Sequence, residues 1–277
     1  MHVHMLHEGL NGGGGSCGMR RGGPKGTFQL MRRLGYAGAG IMSWNVVSGD
    51  SAGGNEAVRQ ALEFFPPGYW GLGSFDPVHF SQEELENLIP QLYADRRFLG
   101  MKPYHFGIRY DDPRYDVWWK YGNQRRLYGL IDHTIDDCTE VDNLASRFPD
   151  VSWVIAHTGG SYKAADQAIA CIEKHPNVFA EITYTTVTAG IIDYLVEHAG
   201  EDRVLYGSDL PMRDPRQQLG WVIYSRINEK VKARVLGLNA LAIIGRVVSL
   251  QSQRQRAARP CIKKRFRVAS FLLCRRR

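Results

Sequence analysis

Four apolar runs, far apart in the chain, each end on histidine or aspartate, and this placement constrains the fold more than any other feature. The chain opens Met1-His2-Val3-His4-Met5-Leu6, and later runs are Leu127–His133, Val151–His157 and Val204–Asp209. Residues at i and i+2 on a strand project from one face. His2 and His4 can therefore grip one ion as a pair, and His133, His157 and Asp209 can join them only if all four strands end at one place. A closed parallel barrel does that, because its active site is built from the C-terminal ends of its strands. The pattern predicts a metal-dependent enzyme.

The text between these runs supports an α/β chain of the (β/α)8 TIM-barrel class. Apolar or β-branched runs at 2–6, 39–47, 69–75, 99–105, 127–133, 151–157, 178–183 and 204–208 alternate with amphipathic stretches at 26–33, 56–64, 82–93, 115–121, 141–148, 164–174, 191–198, 215–226 and 229–236. Ser81 with Glu84 reads as a capping box, and Thr139 with Asp142 reads as a less regular one. Eight right-handed strand–helix units close a barrel. A doubly wound open sheet, the alternative, does not easily bring strands one, five, six and eight together. Met1 directly precedes His2, so the first strand is expected to be short.

At 277 residues, with 44% hydrophobic and 11% aromatic content, the chain suits one such domain. No apolar run reaches the roughly 18 to 20 residues that cross a bilayer. Two histidines interrupt what would be the apolar region of a signal peptide. Five scattered cysteines, at 17, 138, 171, 261 and 274, form no Cys-x-x-Cys pair. They fit a reducing cytoplasm better than a disulfide framework. The net charge of +7 is concentrated at one end: residues 246–277 hold eleven Lys or Arg and no acid, and the rest has 24 basic against 28 acidic residues. The domain is expected to span 1–250, followed by an irregular, basic, solvated tail over 251–277. Such a tail can attract nucleic acid or membrane, but it offers only Phe266 and Phe271 as aromatics, and neither partner is expected.

Gly9–Gly26 contains nine glycines, among them a literal G-x-G-x-x-G at Gly13, Gly15 and Gly18. Consecutive glycines produce that match almost for free, so a loop over the mouth of strand one is the more natural reading than a dinucleotide turn. Arg20, Arg21 and Lys25 on it could meet an anionic substrate, or they could simply be solvated.

The order H-x-H, His, His, Asp, with "WVIAHTGG" and "RVLYGSDLP", resembles the amidohydrolase superfamily. It is most similar to the amidohydrolase-related branch that includes aminocarboxymuconate-semialdehyde decarboxylase. "ASRFPDVSWVIAHTGG" and "KHPNVFAEIT" extend the likeness over most of residues 1–245. The resemblance implies one divalent metal ion, often zinc, held by His2, His4, His133 and Asp209, with His157 as general acid/base or substrate polariser. Lys102 on strand four matches the lysine that is carbamylated in dinuclear relatives. In this branch it is expected instead to face the substrate, with a purely structural lysine the other reading. His105 and Arg109 are candidates for binding a substrate carboxylate, and Glu181 for orienting a ligand histidine.

Two reactions suit such a site. In hydrolysis, the main reading, a bound metal lowers the pKa of its water towards about 7. Asp209 takes the proton, or holds the water in line, as the water attacks a carbonyl or lactone carbon, and His157 stabilises the oxyanion or protonates the leaving group. The alternative is non-oxidative decarboxylation of a small carboxylated aromatic or enol, with His157 or Asp209 protonating the carbon. Trp44, Trp70, Trp118 and Trp119, near predicted loop mouths, are compatible with an aromatic substrate or with plain packing. The expected partner is a small molecule, anionic ones included, with self-association as a homo-oligomer left open.

Overall fold

The computed structural model describes residues 1, 3–5, 23–104, 107–132, 137–183, 185–186, 190–211 and 213–258. Eight strands run in chain order around one parallel sheet: β1 (Val3–Met5), β2 (Ala39–Ser43), β3 (Tyr69–Gly73), β4 (Phe98–Met101), β5 (Tyr128–Ile131), β6 (Ser152–Ile155), β7 (Val178–Glu181) and β8 (Val204–Leu205). The sheet closes where Val3 bridges Leu210 in parallel and His4 N donates to Leu210 O at 2.5 Å. This is the expected (β/α)8 barrel, with a short β1 of three residues.

The helices are α1 (Pro24–Arg33), α2 (Ser51–Ala61), α3 (Gln82–Leu92), α4 (Asp116–Arg125), α5 (Thr139–Arg147), α6 (Tyr162–Lys174), α7 (Ile191–Ala199), α8 (Pro215–Ile223), α9 (Glu229–Ala233) and α10 (Asn239–Ala258). The Ser81–Glu84 capping box forms at the start of α3. The second expected box does not: Cys138 occupies the cap of α5 and makes no side-chain cap bond.

α10 extends beyond the expected domain end near residue 250. It follows α9 through a π-helical turn, Arg234–Leu238, and packs against β4, β8 and α4. Arg246 Nη1 donates to Ser152 Oγ at 3.2 Å, Arg96 Nη2 to Gln251 O at 3.1 Å, and Arg254 Nη2 to Gln124 O at 2.9 Å. Arg96 precedes β4 and Ser152 begins β6, so the helix crosses the N-terminal end of the barrel. Tertiary contacts therefore carry helix into a stretch whose own periodicity is weak. The helical stretch Glu229–Gln255 is, among the described residues, long and apolar enough to cross a membrane by length and composition. Here it places Val231, Val235, Ile243 and Val247 in the core.

Of the four tryptophans expected near loop mouths, three are packing residues. Trp118 and Trp119 stack on α4 with centroids 4.8 Å apart, and Trp70 Nε1 donates to the Tyr128 hydroxyl at 2.7 Å.

Candidate active site

The C-terminal ends of the strands bring five charged or ionisable side chains into one buried group. His4 comes from β1, Lys102 follows β4, Asp132 follows β5, His157 follows β6 and Asp209 follows β8. His4 Nε2 lies 3.3 Å from Asp209 Oδ1. Lys102 Nζ donates to Asp132 Oδ2 at 2.8 Å. The other carboxylate oxygen, Asp132 Oδ1, makes a close ion pair with His157 Nε2. The second ring nitrogen, His157 Nδ1, sits 3.2 Å from the carbonyl of Thr183.

Both nitrogens of His157 thus face oxygens, those of the Asp132 carboxylate and the Thr183 carbonyl, surroundings that favour the doubly protonated, imidazolium form. The electrostatics agree in direction. Burial pulls the His157 pKa down, but the Asp132 carboxylate, with help from Asp209, more than offsets this against the opposing charge of Lys102, and the net shift is upward. The Tyr104 phenol, just beyond Lys102, is also pushed up, by burial and then by the carboxylates of Asp132 and Asp209. Tyr104 is thereby kept protonated beside the two acids.

His157 and Asp209 share a backbone signature. Their φ angles are +63° and +54°, and Arg126 is the one other non-glycine residue with positive φ among those described. Left-handed backbone is uncommon in residues with a Cβ, and such residues cluster at functional sites where surrounding structure holds them. Here the turn lets each strand end abruptly and aim its side chain into the group.

The surrounding shell is closely fitted. Thr158 Oγ1 donates to Glu181 O at 2.9 Å, and the Tyr110 hydroxyl donates to Asp132 O at 2.8 Å. The Glu181 carboxylate is fully buried, accepts from Thr183 Oγ1 and lies 3.8 Å from the Met1 amino nitrogen. A Cβ on Gly207 would fall 2.1 Å from both Glu181 Oε1 and Thr183 Oγ1, so only glycine fits there. Gly159 passes close to Thr185: its Cβ would meet Thr185 Oγ1 at 2.4 Å. Trp44, in the turn after β2, meets the His4 ring in a T-shaped contact at 5.4 Å.

Of the expected site residues, His4, Lys102, His157 and Asp209 come together here. Arg109 pairs with Asp111 at 2.9 Å and its side chain is 53% exposed. His2, His105 and His133 lie outside the described residues, as do the G-x-G-x-x-G segment, Arg20 and Arg21. Lys25 lies in α1. Asp132 carries no expectation from the sequence, yet it links Lys102 to His157. Its signal was the strand alternation itself: Tyr128, Leu130 and Asp132 fall on one face. The β3–α3 loop adds a second unexpected pair, the buried Asp76 carboxylate against His79 Nδ1, whose side chain is 71% exposed.

The donor chemistry fits a divalent metal. An imidazole nitrogen and a carboxylate oxygen 3.3 Å apart are spaced as two ligands of one ion would be, with bonds of about 2.0–2.2 Å. Among the described residues no group of three or more His, Cys, Asp or Glu forms a metal-holding cluster. The further candidates His2 and His133 are not among them.

The sequence profile described as Amidohydrolase matches residues 1–246. The chain belongs to the amidohydrolase family. No curated protein sequence matches it. Among solved structures, 5-carboxyvanillate decarboxylase from Sphingomonas paucimobilis is 16% identical, with a TM-score of 0.61 over 79% of this chain and 82% of that one. An uncharacterised TIM-barrel protein from Bordetella bronchiseptica is 17% identical, with a TM-score of 0.66 over 81% and 83%. A dihydroxybenzoic acid decarboxylase from Polaromonas, solved with manganese and the inhibitor 2-nitroresorcinol, is 14% identical, with a TM-score of 0.51 over 71% and 77%. At these identities the likeness is one of fold. This amidohydrolase-family enzyme therefore shares its barrel with decarboxylases whose substrates are small aromatic acids.

Proposed function

We propose that this amidohydrolase-family chain is a metal-dependent decarboxylase of a small hydroxylated aromatic carboxylate. The observation that carries the reading is the His157 ring, held between the Asp132 carboxylate and the Thr183 carbonyl. An aromatic carbon that loses carbon dioxide must gain a proton, whereas hydrolysis starts by taking one from water. A histidine arranged as imidazolium is a proton donor and suits the first reaction.

His4 and Asp209 would hold the ion, with His2 and His133 as further ligands. When bound, such an ion supplies positive charge that gathers the carboxylate and a neighbouring oxygen of the substrate. Zinc is the expectation from the sequence, and manganese is the ion in the Polaromonas structure. His157 holds the proton at Nε2 against Asp132 Oδ1, and that N–H would turn from the carboxylate to the substrate carbon to deliver it. Tyr104 stays protonated and can donate a hydrogen bond to an anionic oxygen. Trp44 forms an aromatic wall against His4. The named aromatic-acid decarboxylases of the same fold add support.

Hydrolysis of a carbonyl or lactone, the main expectation from the sequence, becomes the second reading. It rests on the family's name and on Asp209 as a carboxylate base.

The test is a substrate screen with metal-loaded protein in deuterated water. Decarboxylation of dihydroxybenzoates or carboxyvanillates releases carbon dioxide and leaves one deuterium on the carbon that bore the carboxylate. Turnover of lactones or esters without carbon dioxide release would replace this reading with hydrolysis.

A further inference from the structure

The geometry points to Lys102 and Asp132 as a positioning pair that acts on the reaction only through His157. In this arrangement Lys102 fixes Asp132, Asp132 fixes the ring, and Lys102 does not touch the substrate. This differs from the substrate-facing role expected of Lys102 from the sequence. It rests on the reading above only in that His157 acts on the substrate.

Burial orders the three groups. The Lys102 side chain is 0% exposed, that of Asp132 4%, and that of His157 15%. An ammonium with no open surface cannot meet an incoming carboxylate unless it leaves its partner. Lys102 Nζ lies 2.8 Å from Asp132 Oδ2, and breaking that pair would leave the buried Lys102 ammonium without it. His157 is the most exposed of the three.

Each carboxylate oxygen of Asp132 has a separate task, Oδ2 for Lys102 and Oδ1 for His157. The carboxylate is thus held at both ends, and its backbone carbonyl is held by the Tyr110 hydroxyl at 2.8 Å. The Lys102 backbone is fixed too, its N–H donating to Gly73 O at 2.9 Å. An ion-pair chain of this kind pins the orientation of the imidazole, as an acidic partner does for catalytic histidines generally. Lysine suits the far end because its ammonium is a compact point charge on a flexible apolar stem.

The test is a double-substitution cycle with Lys102→Met, Asp132→Asn and the pair together, all metal-loaded. Acting through His157, each single change should lower kcat by about 100-fold or more, in the range for general acid–base groups. KM should stay within about twofold, because uniform substrate binding is untouched. The double variant should be no slower than the slower single one, since both changes break the same chain. Asp132→Glu should recover part of the loss that Asp132→Asn causes. A Lys102→Met enzyme with raised KM and retained kcat, or losses that multiply in the double variant, would overturn the proposal.

Folding and the wider functional reading are separated by two further readouts. Asp132→Asn strands the buried Lys102 ammonium, so Tm should drop in that single variant and recover in the double variant. In metal-free protein, a slowly exchanging His157 ring N–H signal in proton–nitrogen spectra should be visible in the wild type and lost in all three variants. If no substrate turns over, that signal alone decides: its survival in Lys102→Met overturns the proposal, and its loss there supports it.

Discussion

His4 Nε2 stands 3.3 Å from Asp209 Oδ1, joining the first strand of the barrel to the chain just after the last. The same seam is closed by the Val3–Leu210 bridge, one residue from each partner. Barrel closure and assembly of the His4–Asp209 pair, the proposed metal donors, are therefore one structural event. Slipping β1 by one residue would turn His4 away from Asp209, because strand faces alternate with every residue.

Gly207→Ala should damage the fold more than an added methyl suggests. The new Cβ would overlap the buried Glu181 carboxylate and the Thr183 hydroxyl. Overpacking costs about 1–3 kcal/mol, and each kcal/mol lowers Tm by about 2–4 °C in a domain of this size. Thermal unfolding of the purified variant checks this, and an unchanged Tm would contradict the packing described.

The stability of metal-free protein should depend on pH through His157. Its folded-state pKa is raised by Asp132, against an unfolded value of about 6.5. The stabilisation is fully present below about 6.5 and is lost as pH rises through the folded value. Tm of the wild type should therefore fall on the alkaline side more steeply than that of His157→Gln. Parallel curves for the two proteins would remove the charged pair from the account.

Cys171 should resist alkylation in the native state. Burial, with smaller contributions from Cys138 and Asp142, pushes its thiol up to about 12, which leaves little thiolate at neutral pH. Iodoacetamide labelling followed by peptide mapping should find Cys171 unmodified until denaturant is added.

The sequence revealed the strands more fully than the chemistry between them. Apolar runs ending in His4, His157 and Asp209 marked both the barrel and its catalytic end, because strand alternation and closure leave few other ways to unite them. Asp132 stayed hidden because a carboxylate beside an expected ligand, His133, reads as its neighbour, and only the three-dimensional arrangement shows it reaching Lys102 and His157. Lys102 drew attention for its position, but its role depends on burial, which composition does not report. The helix through Ala258 was also hidden, since its contacts with Arg96, Gln124 and Ser152 come from distant parts of the chain.

The most direct measurement is metal content and turnover, taken together, in four purified proteins: wild type, His4→Ala, Asp209→Ala and His157→Ala. The wild type should carry one divalent ion per chain. His4→Ala and Asp209→Ala should lose it, each removing a donor from the pair at the barrel seam. His157→Ala should keep its metal and lose about 100- to 10,000-fold in kcat, the contribution of a general acid. Metal retained at full stoichiometry in both His4→Ala and Asp209→Ala, or lost in His157→Ala, would contradict this assignment of the site.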